Sequence, residues 1–236
     1  MPARRLDPDF FTQPTIELAR ALLGQRLVRR LDGRRLAGII VETEAYIGED
    51  DLACHAAAGR TARTEVMYGP PGHAYVYFVY GMHHCLNVVS EPPGYPAAVL
   101  IRALAPSEGI PAMARRRGLD AKLGAEIPGL TPLRLARATS EPGPIFRALL
   151  SGPGRLCQAL AIDRTLSGAS LCDRELFLEA GTAPRAIEVT TRIGVDYAGP
   201  WREKRWRFVV ADSPWVSGAR RRAAPAPSRR ARGLTT

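Results

Sequence analysis

The sequence predicts an α+β fold: a single compact domain with a mostly antiparallel sheet and inserted helices. Three observations carry this expectation. Strand-like runs follow one another across tight turns, as at Asp32-Gly33 and Tyr80-Gly81-Met82, and such turns join neighbours antiparallel. Helical runs are inserted among the hairpins and do not alternate one for one with strands. No internal repeat or linker divides residues 1–217.

The elements follow in order. Residues 10–24 predict a helix, with Pro14 in its first turn, an apolar side of Ile16, Leu18, Ala19, Leu22 and Leu23, and Gly24 as its stop. Gln25 to Leu31 forms a strand, and Asp32-Gly33 turns it into a second, Gly38 to Tyr46. Residues 48–72 predict a loop with a short helix, closed by Pro70-Pro71-Gly72. A second hairpin runs from Tyr75–Val79 through the turn to Cys85–Val89. Ala97–Leu104 is a strand carrying one charge, Arg102, and Pro106–Arg117 a helix. Gly118–Ser151, rich in Ala, Leu, Arg, Pro and Gly, takes no assignment. Ser151-Gly152-Pro153-Gly154 opens a helix through Leu160, and such an N-terminus can hold a phosphate. Strands around Ile187–Ile193 and Arg205–Ala211 complete the body.

The stretch Ile40-Val41-Glu42-Thr43-Glu44-Ala45-Tyr46 begins apolar and ends polar. Alternation along a strand puts Ile40, Glu42, Glu44 and Tyr46 on one face. Two acids and a tyrosine do not suit a packed core. Two readings are open: a solvent-facing sheet edge, or a general base beside an aromatic wall. Tyr80 at a hairpin tip is either a wedge between base steps or a side chain folded back on the sheet. Tyr46, His55, Tyr75 and Tyr77 could wall a planar ligand or pack as core aromatics. Asn87 could read a base edge or satisfy a backbone group, and Arg102 needs a carboxylate or a phosphate.

Composition limits the classes. The 236 residues are 46% hydrophobic and 24% charged, a globular balance. No apolar run approaches the ~20 residues of a membrane span, and the N-terminus lacks a signal core, so no membrane role and no secretion are expected. Cys54, Cys85, Cys157 and Cys172 form no CxxC pair and read as reduced. His83-His84-Cys85 splits across a strand's two faces, and neither a metal nor another cofactor is expected. The net charge is +10. Six of the 33 cations are arginines in residues 218–236, leaving 27 against 23 acids in the body. A polyanion partner follows, with 218–236 as a disordered, arginine-rich tail.

Several motifs in one order then point to a family. They are the strand through Tyr46, Asp51–His55, Pro71–Met82, Cys85-Leu86-Asn87, Val99–Leu104, Gly152–Leu160, Arg192–Val195 and Ser213–Val216. Carrying these, the chain resembles the alkyladenine (3-methyladenine) DNA glycosylases, which excise alkylated and deaminated purines. The resemblance covers nearly all of residues 6–217. It implies a compact domain with a protruding β-hairpin, acting as a monomer on double-stranded DNA that contains damaged purines of the 3-methyladenine, 7-methylguanine or hypoxanthine type. Glu44 matches the base that activates water against C1′, with Arg102 and the carbonyl of Ile193 helping to hold that water. Tyr46, His55 and Tyr77 match the pocket around the flipped base, and Asn87 a residue that crowds out the amino group of normal guanine. Tyr80, with Met82 beside it, matches the wedge. Arg60, Arg63, Gly154 and Arg155 are expected at the DNA backbone. Lys122 and Lys204 fall outside the matched pocket, which implies a monofunctional enzyme that leaves an abasic site.

The chain departs from the family pattern at Thr64, where an asparagine is expected, and at His83, where an aromatic is. The segment from Gly118 to Glu141 matches nothing. The expected compartment is the cytoplasm and nucleoid of a prokaryote or the nucleus of a eukaryote. Two alternatives stand beside this reading. A small-molecule nucleoside hydrolase would need no hairpin-tip tyrosine, and a non-catalytic DNA-binding module would tolerate Glu44→Gln.

Overall fold

Residues 4–218 are described by the computed structural model, so the expected tail beyond Gly218 lies outside the described residues. The N-terminal helix is shorter than its apolar pattern. A 3-10 turn over Pro8–Thr12 precedes helix α1, Thr15–Ala21. Proline disfavours helical geometry in the residue before it. Gln13 is accordingly extended (φ −66°, ψ 149°), and Pro14 caps α1 instead of lying inside it.

Strands β1 (Arg26–Leu31) and β2 (Arg34–Ile47) form the first hairpin. Its turn residues, Asp32 and Gly33, both have left-handed φ, the geometry that matches strand twist. The second hairpin is β3 (Ala74–Val79) with β4 (His83–Val89). Strand β5 is Ala97–Glu108, so Pro106–Glu108, expected as helix, continue the sheet. Pro106 stays opposite Gly38 of β2, but β4 pairs with β5 only along Ala98–Leu100, so no strand on that other side needs its missing N–H. Helix α2 (Ile110–Arg116) follows.

The segment without a sequence assignment is helical: α3 (Asp120–Glu126), α4 (Pro132–Ser140) and α5 (Pro144–Arg147). Helix α6 (Pro153–Leu160) opens at Gly152 as expected. A strand that the sequence reading missed, β6 (Leu176–Glu179), pairs with β1. Four buried residues in a row give no period-2 signal. Strands β7 (Ile187–Thr190) and β8 (Arg207–Val210) close the body, with β7 ending three residues before the expected Ile193.

The order β3-β4-β5-β2-β1-β6 makes a curled antiparallel sheet, with β8 sharing the edge of β2 beyond β1 and β7 outside it. The described residues therefore form one compact α+β domain. Alternation sorts its side chains. Ala74, Val76, Leu86, Val88, Val99, Ile101 and Ala103 enter the main core with α1, α2 and α6. Their neighbours Tyr75, Tyr77, Cys85, Asn87, Ala98, Leu100 and Arg102 turn to a cavity on the other face. Each fully buried leucine of the core, such as Leu18, Leu86 or Leu156, contributes about 1.5–3 kcal/mol.

A bulge corrects one expectation. The β2–β5 register slips between Ile40 and Glu42, so Ile40 and Val41 both enter the core. The expected shared face begins at Glu42, not Ile40. The extra residue re-aims the strand just before its carboxylates.

Candidate active site

The cavity on that face encloses about 600 Å³. Its walls are the hairpin β3–β4, the loop Ala53–His55, the end of β2, and the loop that carries Ile193. Glu44 lies under its floor, fully buried. Three donors hold its carboxylate. The Ile193 amide donates to Oε1 at 2.8 Å, the Tyr46 hydroxyl to Oε2 at 2.7 Å, and Arg102 Nη1 to Oε2 at 3.1 Å. All three donor residues line the cavity. A buried carboxylate must be paired or hydrogen-bonded, and this one is both.

Glu42 takes a different place. It is equally buried, and accepts from Arg102 Nε at 3.0 Å, Arg207 Nε at 2.7 Å and the Ser217 hydroxyl at 2.9 Å. Arg102 thus bridges both acids, and a planar guanidinium suits this two-sided task. The partner that Arg102 required is the pair of carboxylates on β2.

The aromatic residues converge as a box. His55 and Tyr77 meet edge to face, ring centroids 4.3 Å apart, and Tyr75 lies 5.6 Å from Tyr77. His55 Nδ1 is 2.9 Å from the Tyr75 hydroxyl, and Arg63 Nη2 donates to His55 Nε2 at 3.3 Å. Burial, with the nearby Arg63 charge, pushes His55 down to about 4, so the imidazole is neutral near pH 7. Burial raises Tyr75 to about 12, and lifts Tyr46 and Tyr77 as well, Tyr46 with help from the Glu44 charge. The box is therefore uncharged and flat-walled, above one carboxylate. Such a site takes a planar ring, and favours a cationic one through the faces of its rings.

Asn87 is buried on the cavity side and donates from Nδ2 to the Tyr75 carbonyl at 3.0 Å. It both satisfies a backbone group and lines the cavity. Tyr80 stands at the hairpin tip, 81% exposed, and Met82 beside it is 68% exposed. Tyr80 faces the cavity mouth and does not fold back on the sheet.

The residues expected at a DNA backbone divide. Gly154 and Arg155, at the start of α6, line the cavity rim. A side chain at Gly154 would have its Cβ 2.9 Å from the His83 ring, so glycine lets the hairpin rest on α6. His83, the departure in the hairpin, makes this contact. Arg63 stays exposed but leans over the box, its guanidinium 5.5 Å from the Tyr77 ring centre. Arg60 stands apart from the cavity lining and pairs with exposed Glu65 at 2.6 Å. Thr64, the other departure, is buried and donates to the Gly59 carbonyl at 3.0 Å, bracing this loop.

Sequence reasoning missed Asp51 and Arg192 as individuals, although both fall in the quoted motifs. They form a buried ion pair behind Tyr46. Neither gives the signal that singled out Arg102, a charge inside an apolar strand: Arg192 follows the mixed strand Ile187–Thr190 and Asp51 follows the end of β2. Tyr197, 72% exposed at the cavity mouth, gave no periodic signal. Among the described residues, no group of three or more His, Cys, Asp or Glu side chains could hold a metal ion.

Comparison with known proteins converges on one group. Residues 9–214 match the family described as Methylpurine-DNA glycosylase. The mouse protein named DNA-3-methyladenine glycosylase is 46% identical over 220 residues, covering 90% of this chain and 61% of the mouse protein. A Methanocella arvoryzae protein is 49% identical over 213 residues, covering 90% of this chain and 95% of its own length. A Myxococcus xanthus protein is 44% identical over 227 residues, covering 95% and 97%. Both microbial proteins carry a provisional assignment as 3-methyladenine DNA glycosylases.

Proposed function

From the premise that the chain belongs to the methylpurine-DNA glycosylase family, hydrolases that act on N-glycosyl bonds in DNA repair, we propose that it excises alkylated and deaminated purines flipped out of duplex DNA. The substrate class is 3-methyladenine, 7-methylguanine and hypoxanthine. The observation that carries this reading is the Glu44 carboxylate, held by three donors beneath a cavity with a box of uncharged aromatic side chains.

An enzyme working on a base must first take it out of the stack, which costs a few kcal/mol and least for damaged or mispaired bases. Tyr80, Met82 beside it, fills the gap. The purine lies between Tyr46, His55 and Tyr77, with Asn87 limiting which purines fit. Cleavage develops positive charge on the sugar, and Glu44 both stabilises that charge and takes the proton of the attacking water. Arg102 and the Ile193 backbone position that water. A ring alkylated at nitrogen leaves readily because it is already cationic, whereas hypoxanthine needs protonation as it departs.

Neither lysine of the chain lines the cavity; Lys204 Nζ sits 5.3 Å from the Trp201 ring centre. That supports simple hydrolysis to an abasic site without Schiff-base chemistry. The enzyme acts as a monomer, at the nucleoid of a prokaryote or in the nucleus of a eukaryote. No helix among the described residues is long and apolar enough to cross a membrane.

The test is base release from duplex oligonucleotides carrying a panel of lesions. Release of hypoxanthine and 3-methyladenine is expected. Release of neither would sink the proposal, and equal activity on free nucleosides would favour a small-molecule hydrolase.

Residues 1–217 form the glycosylase domain, and 218–236 add backbone affinity. Ser217 and Gly218, the last described residues, line the cavity on the side proposed for DNA. Deleting 219–236 is expected to make the log–log salt dependence of DNA affinity shallower by roughly 0.9 for each arginine that meets a phosphate. An unchanged slope in a titration series over salt would remove the tail from the interface.

A further inference from the structure

We infer that the Asp51–Arg192 ion pair is a positioning device for the proposed general base, holding two of the three donors to Glu44 in place. The inference rests on the assignment of Glu44 made above. Both side chains of the pair are fully buried. Buried ion pairs often add little net stability compared with apolar replacements, so their presence beside a site calls for a structural purpose.

The contacts supply one. Arg192 meets Asp51 in a fork, Nη1 to Oδ2 at 2.6 Å and Nη2 to Oδ1 at 2.8 Å. Nη1 also donates to the Ala45 carbonyl at 3.0 Å and Nη2 to the Trp201 carbonyl at 3.2 Å. Asp51 in turn accepts from the amides of Ile47 at 3.3 Å and Ala53 at 3.1 Å. One pair therefore ties together the end of β2, the loop leading to His55, and the segment containing Trp201.

Two consequences reach Glu44. The Arg192 guanidinium lies 4.8 Å from the centre of the Tyr46 ring, whose hydroxyl donates to Glu44 Oε2. The next residue along the chain, Ile193, donates its amide to Glu44 Oε1. The third donor, Arg102, is fixed separately through Glu42. Without the pair, Tyr46 and the Ile193 amide lose their common anchor while Arg102 keeps its own.

The experiment compares wild type with Asp51→Asn and Arg192→Lys, using protein corrected for active fraction. Single-turnover release of hypoxanthine at saturating protein is read beside affinity for the same duplex. A misplacement of about 1 Å can cost on the order of a hundredfold in rate, and a loss of that order is expected in both variants. Affinity should change by no more than about threefold, because the hairpin and rim are untouched. Leu178→Ala, a core truncation in β6, serves as the stability control: it should lower Tm without changing the rate per active molecule.

A double-mutant cycle with Tyr46→Phe gives the readout a purely structural role would not move. If Arg192 acts partly through the Tyr46 hydroxyl, the two rate losses are less than additive. Should Asp51→Asn not fold, Arg192→Lys, which retains the charge, carries the test. Wild-type rates in the folded variants, or losses fully additive with Tyr46→Phe, would overturn the inference. Glu44→Gln separates the two levels: an active Glu44→Gln removes the base assignment and this inference together, whereas an inactive Glu44→Gln beside a fully active Asp51→Asn removes this inference alone.

Discussion

Glu44→Gln is expected to abolish base release while leaving lesion-DNA binding in place. General-base catalysis contributes roughly 10²–10⁴-fold, so single-turnover release should fall by about a thousandfold. The isosteric amide keeps the side-chain shape at the cavity floor. It cannot accept at both ends, however, and three donors face it: the Ile193 amide, the Tyr46 hydroxyl and Arg102 Nη1. Tyr46 can rotate its hydroxyl to accept from the new NH₂ group, but Arg102 and Ile193 cannot. One unsatisfied buried donor costs about 1–3 kcal/mol, so a lower Tm should accompany the loss of activity. The decisive comparison is a gel-shift titration beside a release assay on the same hypoxanthine duplex. Release within tenfold of wild type would exclude Glu44 as the base.

Tyr80→Ser is expected to weaken binding to lesion DNA and not the fold. Tyr80 has φ +53°, in the left-handed region that costs an L-residue about 1–2 kcal/mol. It is 81% exposed, so packing within the protein returns little of that cost. A bulky aromatic held in an unfavourable conformation at a tip supports the external contact proposed for it. Stacking between bases is worth about 1–3 kcal/mol, which corresponds to a loss of roughly tenfold to a hundredfold in affinity. Tm should stay at the wild-type value. Undiminished affinity for a hypoxanthine duplex would rule out the wedge, and leave Tyr197 as the large exposed aromatic at the mouth.

The family itself explains why so much was legible early. The motif around Glu44, the hairpin with Tyr80, and the run ending at Arg102 each lie within one element. Local period then decides which side chains share a face. Glu42 and Glu44 were equals by alternation, yet their surroundings differ. Glu42 faces Arg102, Arg207 and Ser217, whereas Glu44 faces the donors of the cavity. Apart from the Tyr46 hydroxyl, what separates them is a set of contacts from residues 58 to 175 positions away, and no period records those.

Where the reading went astray, local rules competed. Pro14 set the start of a helix that apolar spacing would have begun earlier, and β6 carried too few residues to show a pattern. Pro106 looked like a helix start but sits in β5, because the neighbouring strand had already ended. Gly118–Ser151 gave no assignment, yet it folds as short helices between Pro, Gly and Ser breaks.

By itself the sequence determined the α+β class, the two hairpins, the cavity-facing alternation on β3–β5, and the tyrosine at a turn tip. These depend on spacing within a few residues and on turn chemistry, which a linear chain displays openly. The tertiary structure alone decided that Val41 bulges into the core, that Arg102 spans both acids, and that Asp51 and Arg192 pair behind Tyr46. Each of these is settled by burial. A charge removed from water must find its partner wherever the fold brings one, and that partner is set by packing, not by distance along the chain.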